Sequence, residues 1–463
     1  MNIVMFSMTP LFRDKSMGGA QKQLKKIAIH LGKLGHQITI LCTYRDDAPP
    51  MFHWHENVLI TAVYRFKQPF PEPYATPTYN IAAAIQTTGD SLADADVFYS
   101  HDGGLIFPFV SQDIPTVVSL RSVIFSETLQ SGYLFDGDAL ILPSQHTANV
   151  WLHTKGRFFP EFKQRVHVIH NGLDFDVYKA TEPKSILNVI PIKPDEYSYI
   201  LYPHRPEAPK GILQTIAVVD KLVHEYNLKN VRVLVPKWID SGLSADVRQF
   251  YTDLEQKIAH QGLAENFIFH DWVSDSQMPE YYSLGDITFA IGNYVETFGN
   301  TPYESLACGT PVIAARVGPY REMLPEDVLV DYDDIEVTAK KAAHILKNKL
   351  PVSDETMNWL HDNFQQQAMV EAYADIILTA KKRGSMIYHF TPITQETRFI
   401  LAPWCYISDH QIYHDFGGRY QLNSLTELIE KHPDGLTFAD SNEEQVMAWY
   451  RDGYIVPLQG QDS

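Results

Sequence analysis

The sequence predicts an α/β protein made of two similar parallel-sheet halves and a smaller third part. Short apolar runs alternate with longer amphipathic segments over most of the 463 residues. This is the pattern of strands buried on both faces of a sheet and of the helices that cover them. A chain of this length exceeds one hydrophobic core, so we predict three domains, at residues 1–190, 191–384 and 385–463.

The first half opens with a β–α–β unit. Residues 2–8 form an apolar strand, and Gly18-Gly19-Ala20 begins a helix whose apolar side chains recur at helical spacing. Gly35 ends this helix before a second strand at 37–42. The later strands predicted for this half are 96–99, 116–119, 139–142 and 167–169.

A second α/β series follows Pro191 and Pro194. Its predicted strands are 197–202, 231–235, 267–270, 287–290, 311–314 and 328–330. A long helical pattern over 355–382 is expected to close this half.

Residues 385–463 carry signals of their own. Ser424 with Glu427, and Ser441 with Glu444, have the S-x-x-E spacing of a capping box, which predicts two helix starts. The dipeptide Asp452-Gly453 is a tight-turn signal and predicts a hairpin. We expect a small α+β domain of two or three helices and a short hairpin, for which a winged helix is one arrangement.

Composition and charge narrow the classes of function. The net charge of −18 argues against broad binding of nucleic acid, and residues 385–463 hold 11 acidic against 4 basic side chains. Three widely spaced cysteines cannot form a disulfide framework or a four-cysteine zinc site. Without a recognisable signal peptide or membrane-spanning segment, the sequence predicts a cytoplasmic protein.

The segment 293–321 carries the strongest chemical signal. Glu296 precedes the turn Phe298-Gly299-Asn300, and Pro302 suits the first position of a helix, which places Glu304 in its first turn. Free backbone amides and the dipole at such a helix start attract phosphate. Carboxylates on both sides suit the ribose and hexose hydroxyls of a nucleotide sugar. The alternative is that Glu296 is a solvated loop residue and Glu304 a simple helix cap.

This segment resembles the Glu-x7-Glu signature of the retaining glycosyltransferases of family 4, which have the GT-B fold. Four further motifs match in order and spacing: Gly18-Gly19-Ala20, the strand end 98–102 with His101, Asn171-Gly172-Leu173-Asp174, and Arg205 with Lys210. The resemblance covers residues 1 to 384. It implies two Rossmann-like domains around a donor cleft, and transfer of a sugar from a nucleotide-diphosphate donor, expected to be UDP-linked, to an acceptor hydroxyl with retention.

The resemblance also implies roles for individual residues on the donor side. Arg205 and Lys210 would bind the diphosphate and neutralise the leaving group, and two cations beside a helix start do form an anion site. Glu304 would hold the ribose and Glu296 the sugar. The other implied donor contacts are Gly18, Gly19, Phe298, Gly299, Asn300 and Thr301.

On the acceptor side, the resemblance places a histidine, here His101, near the sugar and the acceptor, which makes it the fourth catalytic candidate beside Arg205, Lys210 and Glu296. Asp102 could fix the tautomer of its ring. Arg121 stands where the family often has a second histidine, and could contact an acidic acceptor or lie on the surface.

One further departure from the family pattern and several open points remain. The run 235–238, which ends in Trp238, replaces a Gly-x-Gly turn and leaves the base contacts in doubt. No metal or other cofactor is expected. The acceptor is open among a glycan, a lipid-linked molecule, a small molecule and a peptide. Lysines on the first helix and the cationic, aromatic loop 154–165 leave contact with the inner face of a membrane open, against the alternative of a solvated helix and structural aromatics.

Residues 385–463 could recognise a partner, mediate oligomerisation or buttress the fold. Two alternatives to a transferase are a nucleotide-sugar epimerase or phosphorylase and a non-catalytic sugar-nucleotide-binding protein. The Glu-x7-Glu spacing disfavours the first, and the presence of every charged donor position disfavours the second.

Overall fold

The computed structural model describes residues 1–14, 16, 18–67, 71–193, 196–237 and 245–458; Pro194 and Trp238 of the sequence analysis lie outside them. The chain forms two compact units. Unit 1 comprises Met1–Asn171, Val295–Phe298 and Gln367–Ser463, and unit 2 comprises Gly172–Tyr294 and Gly299–Gln366. The division into three domains at 190 and 384 stays a prediction.

Unit 1 is built on a sheet of eight strands in the order β3-β4-β2-β1-β5-β6-β7-β8. All neighbours are parallel except β3 and β4, which are antiparallel. The strands are β1 Asn2–Ser7, β2 Gln37–Thr43, β3 Met51–His55, β4 Val58–Tyr64, β5 Val97–His101, β6 Thr116–Ser119, β7 Ala139–Leu142 and β8 Val166–Val168. Its first helices are α1 Gly19–Lys33, α2 Thr78–Leu92, α3 Ser126–Tyr133 and α4 Gln145–His153.

Unit 2 contains a sheet of six parallel strands in the order β11-β10-β9-β12-β13-β14. The strands are β9 Ser198–Leu201, β10 Val231–Pro236, β11 Phe267–His270, β12 Ile287–Ala290, β13 Val312–Ala315 and β14 Leu329–Val330. The next helices in the chain are α5 Ile212–His224, α6 Ala245–His260, α7 Met278–Ser283, α8 Asn300–Ala307, α9 Tyr320–Met323, α10 Ile335–Asn348 and α11 Asp354–Asn363.

The helical pattern at 355–382 is two helices and not one. Helix α11 ends with Phe364 as its C-cap, and α12 follows at Gln366–Thr379. The buried face of α12, which includes Val370 and Tyr373, packs into the core of the first sheet beside β1 and α1. The expectation that this segment closes the second half is therefore wrong for α12, because its apolar side chains complete the other core.

The segment after α12 folds around a small apolar core of its own that includes Phe399, Leu425 and Trp449. Two antiparallel sheets pair β15 with β19 and β16 with β17 and β18. The elements are β15 Phe399–Leu401, β16 Cys405–Ser408, β17 Gln411–His414, β18 Gly418–Tyr420, α13 Asn423–Lys431, α14 Glu443–Arg451 and β19 Ile455–Pro457. We call residues 385–458 the tail.

The local signals in the tail were right about helices and wrong about their caps. Ser424 is the second residue of α13, and the side chain that caps α14 is Asn442, which accepts from the Gln445 amide. The turn at Asp452-Gly453 joins α14 to β19, so it connects a helix to a strand and forms no hairpin. A dipeptide that permits a left-handed residue suits either connection.

The tail is fastened to the first part of unit 1 by buried groups. Arg165 is 4% exposed and donates to the carbonyls of Gly137 (2.7 Å) and of Gly384 (2.6 Å), the residue directly before the tail. The side chains of His146 on α4 and Asp415 are buried, with His146 Nε2 3.5 Å from a carboxylate oxygen. Since Lys155 and Arg165 are both buried, these two cations of the loop 154–165 are structural and not part of a membrane-facing surface.

None of the described helices has both the length and the apolar character needed to cross a membrane.

Candidate functional site

The strand order of unit 2 defines where a ligand would bind to it. The chain runs from β9 outward through β10 to β11, then returns to the other side of β9 with β12 and continues to β14. Such an order leaves a crevice at the carboxyl ends of β9 and β12, where connections leave in opposite directions. Arg205 and Lys210 follow β9, and the loop that leads to Glu304 follows β12.

The loops after β9 and β12 lie backbone to backbone. The Tyr294 amide donates to the Pro209 carbonyl at 2.8 Å, and a Cβ at Gly292 would fall 2.2 Å from the same carbonyl oxygen. The ammonium of Lys210 lies 3.4 Å from the centroid of the Tyr294 ring. Gly292, to which the sequence analysis assigned no role, is the residue that allows this approach.

Arg205 lies on the same loop and is partly exposed. Its Nε is 3.3 Å from a carboxylate oxygen of Glu207. Its neighbour His204 has a pKa lowered to about 3, first by burial and then by the Lys210 charge, so its ring is neutral. The positive charge of this loop therefore resides on Arg205 and Lys210.

Helix α8 begins with Asn300 and has Gly299 as its N-cap, at φ 75°. A side chain at position 299 would also collide with Tyr320, whose hydroxyl oxygen would lie 2.2 Å from the Cβ. Asn300 and Thr301 occupy the first two helical positions, where backbone amides have no partner within the helix. Pro302 is thus the third residue and Glu304 the fifth, which corrects the expected positions by two residues.

The Glu304 side chain is 8% exposed and anchored by tyrosines. Tyr282 donates its hydroxyl to a carboxylate oxygen at 2.9 Å, and Tyr178 donates to the same carboxylate. Burial and the nearby charge of Glu304 raise the pKa of both phenols. Neither tyrosine could be found from the sequence, because the two come from separate segments that only the fold brings together.

The segment 295–298 belongs to unit 1, where its backbone is held on both sides. The Thr297 hydroxyl donates to the Arg121 carbonyl at 2.8 Å, and its own carbonyl accepts from the Thr147 hydroxyl at 3.3 Å. Phe298 is buried, with its ring centroid 6.3 Å from that of His170. Glu296, between Val295 and Thr297, is half-buried.

The first sheet has its own reversal of strand order, between β1 and β5. Gly18 and Gly19 follow β1, while His101 is the last residue of β5. A Cβ added at Gly18 would meet no protein atom within 4 Å, and the residue has φ −177°, an extended conformation open to any amino acid. Neither packing nor backbone strain in the described structure therefore requires a glycine at position 18.

His101 is fully engaged within unit 1. Its Nε2 lies 2.9 Å from the Ala20 carbonyl, which only accepts, so this nitrogen carries the proton. Its Nδ1 then accepts from the Tyr99 hydroxyl at 2.7 Å. Burial lowers the pKa of the ring to about 3, and the charge of Arg121 adds to the effect. Tyr99 and Ala20 fix the tautomer, so the expectation that Asp102 does so is wrong.

Asp102 and Arg121 occupy the same end of this sheet. Asp102 has φ 62°, and burial raises the pKa of its carboxyl to about 6, against the opposing effect of the Arg121 charge. Arg121 is half-buried and donates to the Tyr373 hydroxyl at 3.2 Å and to the Asn171 side chain. Arg121 is thus part of an internal network and not a loose surface cation.

The predicted site residues fall into two groups. Arg205, Lys210, Gly299, Asn300, Thr301 and Glu304 lie in unit 2, whereas Gly18, Gly19, His101, Asp102, Arg121, Glu296 and Phe298 lie in unit 1. Each group sits at or beside the point where the strand order of its sheet reverses, except the segment 295–298, which joins unit 1 through Arg121 and Thr147.

Two family models match successive parts of the chain. The model described as Glycosyltransferase Family 4 matches residues 17–177, and the model described as Glycosyl transferases group 1 matches residues 187–367. Together they cover most of the chain. The protein belongs to the family 4 glycosyltransferases.

Curated relatives of this family 4 glycosyltransferase include an uncharacterized glycosyltransferase of Methanocaldococcus jannaschii, 25% identical over 68% of this chain and 81% of the relative. The D-inositol 3-phosphate glycosyltransferase of Mycobacterium marinum is 28% identical over 65% of this chain and 66% of that protein. The match to another such enzyme, from Xylanimonas cellulosilytica, covers 46% of the relative's length.

Solved structures establish the GT-B fold for this glycosyltransferase. Sucrose-phosphate synthase from Thermosynechococcus elongatus has a TM-score of 0.65 at 16% identity, over 81% of this chain and 98% of its own. Anabaena HepE in complex with UDP-glucose has a TM-score of 0.60 at 18% identity, over 82% of this chain and 100% of its own. These likenesses concern the fold alone.

Proposed function

We propose that this glycosyltransferase moves a sugar from a UDP-sugar to an acceptor hydroxyl and retains the anomeric configuration. One observation carries the proposal: two cations and the N-terminus of a helix flank the crevice of the same sheet in unit 2. Arg205 and Lys210 follow β9, and the first turn of α8 follows β12. This combination suits a diphosphate. The Anabaena neighbour, solved with UDP-glucose, supports uracil as the base.

In this proposal different residues bind the diphosphate, the ribose and the sugar of the donor. Arg205, Lys210 and the amides of Asn300 and Thr301 neutralise the diphosphate as it leaves, which lowers the barrier because the charge develops in the transition state. Glu304, already oriented by two tyrosine hydroxyls, holds the ribose. Glu296 holds the sugar hydroxyls, and the acceptor attacks from the face that the diphosphate leaves.

His101 is proposed as a positioning residue, since both ring nitrogens are bonded to unit 1. It ties the end of β5 to the first turn of α1 and so holds the backbone of Gly18 and Gly19. The space around Gly18 then suits the close approach of a phosphate. Asp102 and Arg121 remain acceptor-side candidates, and no metal is proposed to take part.

The donor half of the proposal is tested by thermal shift. The full-length protein is heated with UDP, GDP, ADP and the corresponding sugar nucleotides, and UDP is expected to raise Tm most. A panel in which no nucleotide changes Tm would overturn the proposal. With an active pair in hand, NMR of the product's anomeric proton tests retention directly.

Arg205→Ala is expected to lower kcat/KM by about 100-fold or more, the scale of losing one electrostatic stabiliser. The matched control is Arg248→Ala, which removes an exposed arginine from α6 of the same unit. Tm measured without nucleotide should be unchanged in both variants, because Arg205 is partly exposed. Full activity in Arg205→Ala would remove this residue from the mechanism.

A further inference from the structure

The tail and the first part of unit 1 line an open cavity of about 370 Å³. This volume is within the range of small-molecule sites. One wall comes from the turn after α4, with Phe158 and Phe159, and the other from the tail, with Tyr388, Trp404 and Tyr450. Nothing in the proposed donor chemistry uses these residues.

The cavity lies at the edge of the first sheet opposite to the predicted site residues. Helix α4 starts just after the carboxyl end of β7 and runs back, so its last residue, His153, lies near the amino edge. Tyr133, which ends α3 before β7 begins, also lines the cavity. Gly19 and His101 lie at the carboxyl edge, so the cavity is a separate place on unit 1.

The walls are aromatic and partly exposed. Tyr388 is 57% exposed, its ring centroid is 6.0 Å from that of Phe158, and the two rings are stacked. Phe159 meets Tyr388 edge-on at 5.8 Å. Arg157 and Lys155 lie over the rings of Phe158 and Phe159, so the exposed part of Tyr388 is the aromatic surface left for a ligand. The C–H face of a sugar packs on such a surface, since the C–H hydrogens are slightly positive and the ring face is negative.

The charge of the cavity is unusual for this chain. Its described lining includes two cationic side chains, Lys155 and Arg157, together with His153, and no carboxylate, although the whole chain carries a net charge of −18. Lys155 is 5% exposed and donates to the Gly132, Tyr133 and Phe135 carbonyls at the end of α3. Burial lowers its pKa to about 8, so it keeps its proton at neutral pH.

The polar groups that face the cavity are mainly donors. Arg157 uses two of its N–H groups on the Tyr450 hydroxyl (3.1 Å) and the Thr391 carbonyl (2.8 Å), which leaves others for a ligand. Tyr450 accepts from Arg157 and so has its own O–H to donate. Asp136 acts on Lys155 from outside the cavity, but no carboxylate is in the described lining, and donors in such a lining favour a ligand that carries anionic oxygen.

We propose that this cavity binds an anionic sugar residue, with its ring against Tyr388 and its negative group toward Arg157 and Tyr450. The proposal rests on the proposed function only in that the protein handles carbohydrate. The site would hold a distant part of an acidic glycan acceptor, and it gives the tail a function that neither half of the GT-B fold supplies.

The test is binding in the absence of any nucleotide, measured by calorimetry on the full-length protein. The probes are trigalacturonic acid for a carboxylate, mannose 6-phosphate for a phosphate, and neutral maltotriose and inorganic phosphate as controls. One of the two anionic sugars should bind, and which of them binds identifies the anionic group. Equal binding of maltotriose or of inorganic phosphate, or no binding of either anionic sugar, would overturn the proposal.

Two variants locate the binding. Tyr388→Ala should weaken binding about tenfold by removing the stacking surface, and Tyr450→Phe should weaken it by removing a single donor. The control is Phe390→Ala, which removes a 71% exposed ring two residues away that does not line the cavity. Wild-type affinity in both Tyr388→Ala and Tyr450→Phe would place any bound sugar elsewhere. The UDP thermal shift should be unchanged in all three variants, so failure of this site and failure of the donor site are distinguishable.

Discussion

Asp102 combines a left-handed backbone conformation with a carboxyl whose ionisation is opposed by its surroundings. Its φ is 62°, a region that aspartate and asparagine enter more readily than other side chains. Burial raises the pKa of its carboxyl to about 6, while the Arg121 guanidinium pulls it down. Above pH 6 the folded protein therefore holds a partly buried negative charge that the unfolded chain would expose to water.

Asp102→Asn should accordingly stabilise the protein at pH 7.5. Between pH 6 and the ordinary aspartate value near 4, the folded state binds more protons than the unfolded state, so this carboxyl lowers stability as pH rises through that window. The variant keeps a side chain suited to φ 62° and loses the charge. We expect its Tm to exceed that of the wild type by several degrees at pH 7.5, with a smaller difference at pH 4.5.

The control for this measurement is Asp113→Asn, which neutralises an exposed aspartate of the same unit. Its Tm should follow that of the wild type at both pH values. If the Tm difference of Asp102→Asn were equal at pH 4.5 and 7.5, the carboxyl would ionise as it does in water, and burial would not raise its pKa.

At the scale of elements, the loops after β9 and β12 depend on one position without a side chain. A Cβ at Gly292 would lie 2.2 Å from the Pro209 carbonyl oxygen and 2.4 Å from the Lys210 carbonyl carbon. Both are backbone atoms, so a rotamer change cannot relieve the collision. The loop that carries Arg205 and Lys210 would have to move.

Gly292→Ala is expected to destabilise unit 2 by about 1–3 kcal/mol, as overpacking typically does, and to weaken UDP binding with it. The matched control is Gly89→Ala on α2, where a Cβ meets nothing within 4 Å and the change removes a helix-interior glycine. That control should raise stability by about 0.5–1 kcal/mol. Thermal unfolding with and without UDP measures both effects, and unchanged Tm and affinity in Gly292→Ala would mean that the loops separate at no cost.

Elements with a strong apolar period could be predicted from the sequence, and the strands 116–119, 139–142, 267–270 and 287–290 match the structure at both ends. Strands β3 and β4 were missed. The polar residues His53 and His55 interrupt β3, which forms an antiparallel edge outside the repeated β–α pattern. The edge strand β3 buries one face at most, so its sequence signal is weak. Strand β4 pairs on both sides, and its apolar residues over Val58–Tyr64 could have been predicted as a strand.

The candidate site shows the same limit. Charged residues and glycines at the ends of apolar runs could be found by position, because parallel strands deliver their carboxyl ends to one edge. The partners that orient them could not: Tyr282 lies on α7 and Tyr178 precedes β9, and only the fold brings both to Glu304. The role of α12 was missed for the same reason, since an amphipathic pattern does not show which hydrophobic core the apolar face of the helix packs into.

At the scale of the molecule, the tail raises the question of how many cooperative units the chain contains. The sequence predicts a third domain, and the tail has its own apolar core. The described chain nevertheless groups the tail with the first sheet in unit 1. Asp415 of the tail and His146 of α4 are buried against each other, 1% and 0% exposed at their side chains.

Asp415→Ala distinguishes two cooperative units from three. Removing one partner of a buried polar pair costs about 1–3 kcal/mol, because the other loses its partner away from solvent. If tail and first sheet unfold together, calorimetry should show two transitions. Gly292→Ala should lower the transition of unit 2, and Asp415→Ala should lower the other transition by about 2 °C or more. The control Glu427→Ala removes a carboxylate of the tail that is 65% exposed, and should change neither transition.

A separate third transition that alone shifts in Asp415→Ala would instead make the tail an independent domain. In that case the tail, with Tyr388 and Tyr450 of the cavity wall, would unfold at a lower temperature than the first sheet. Binding of an anionic sugar would then raise the Tm of the tail transition.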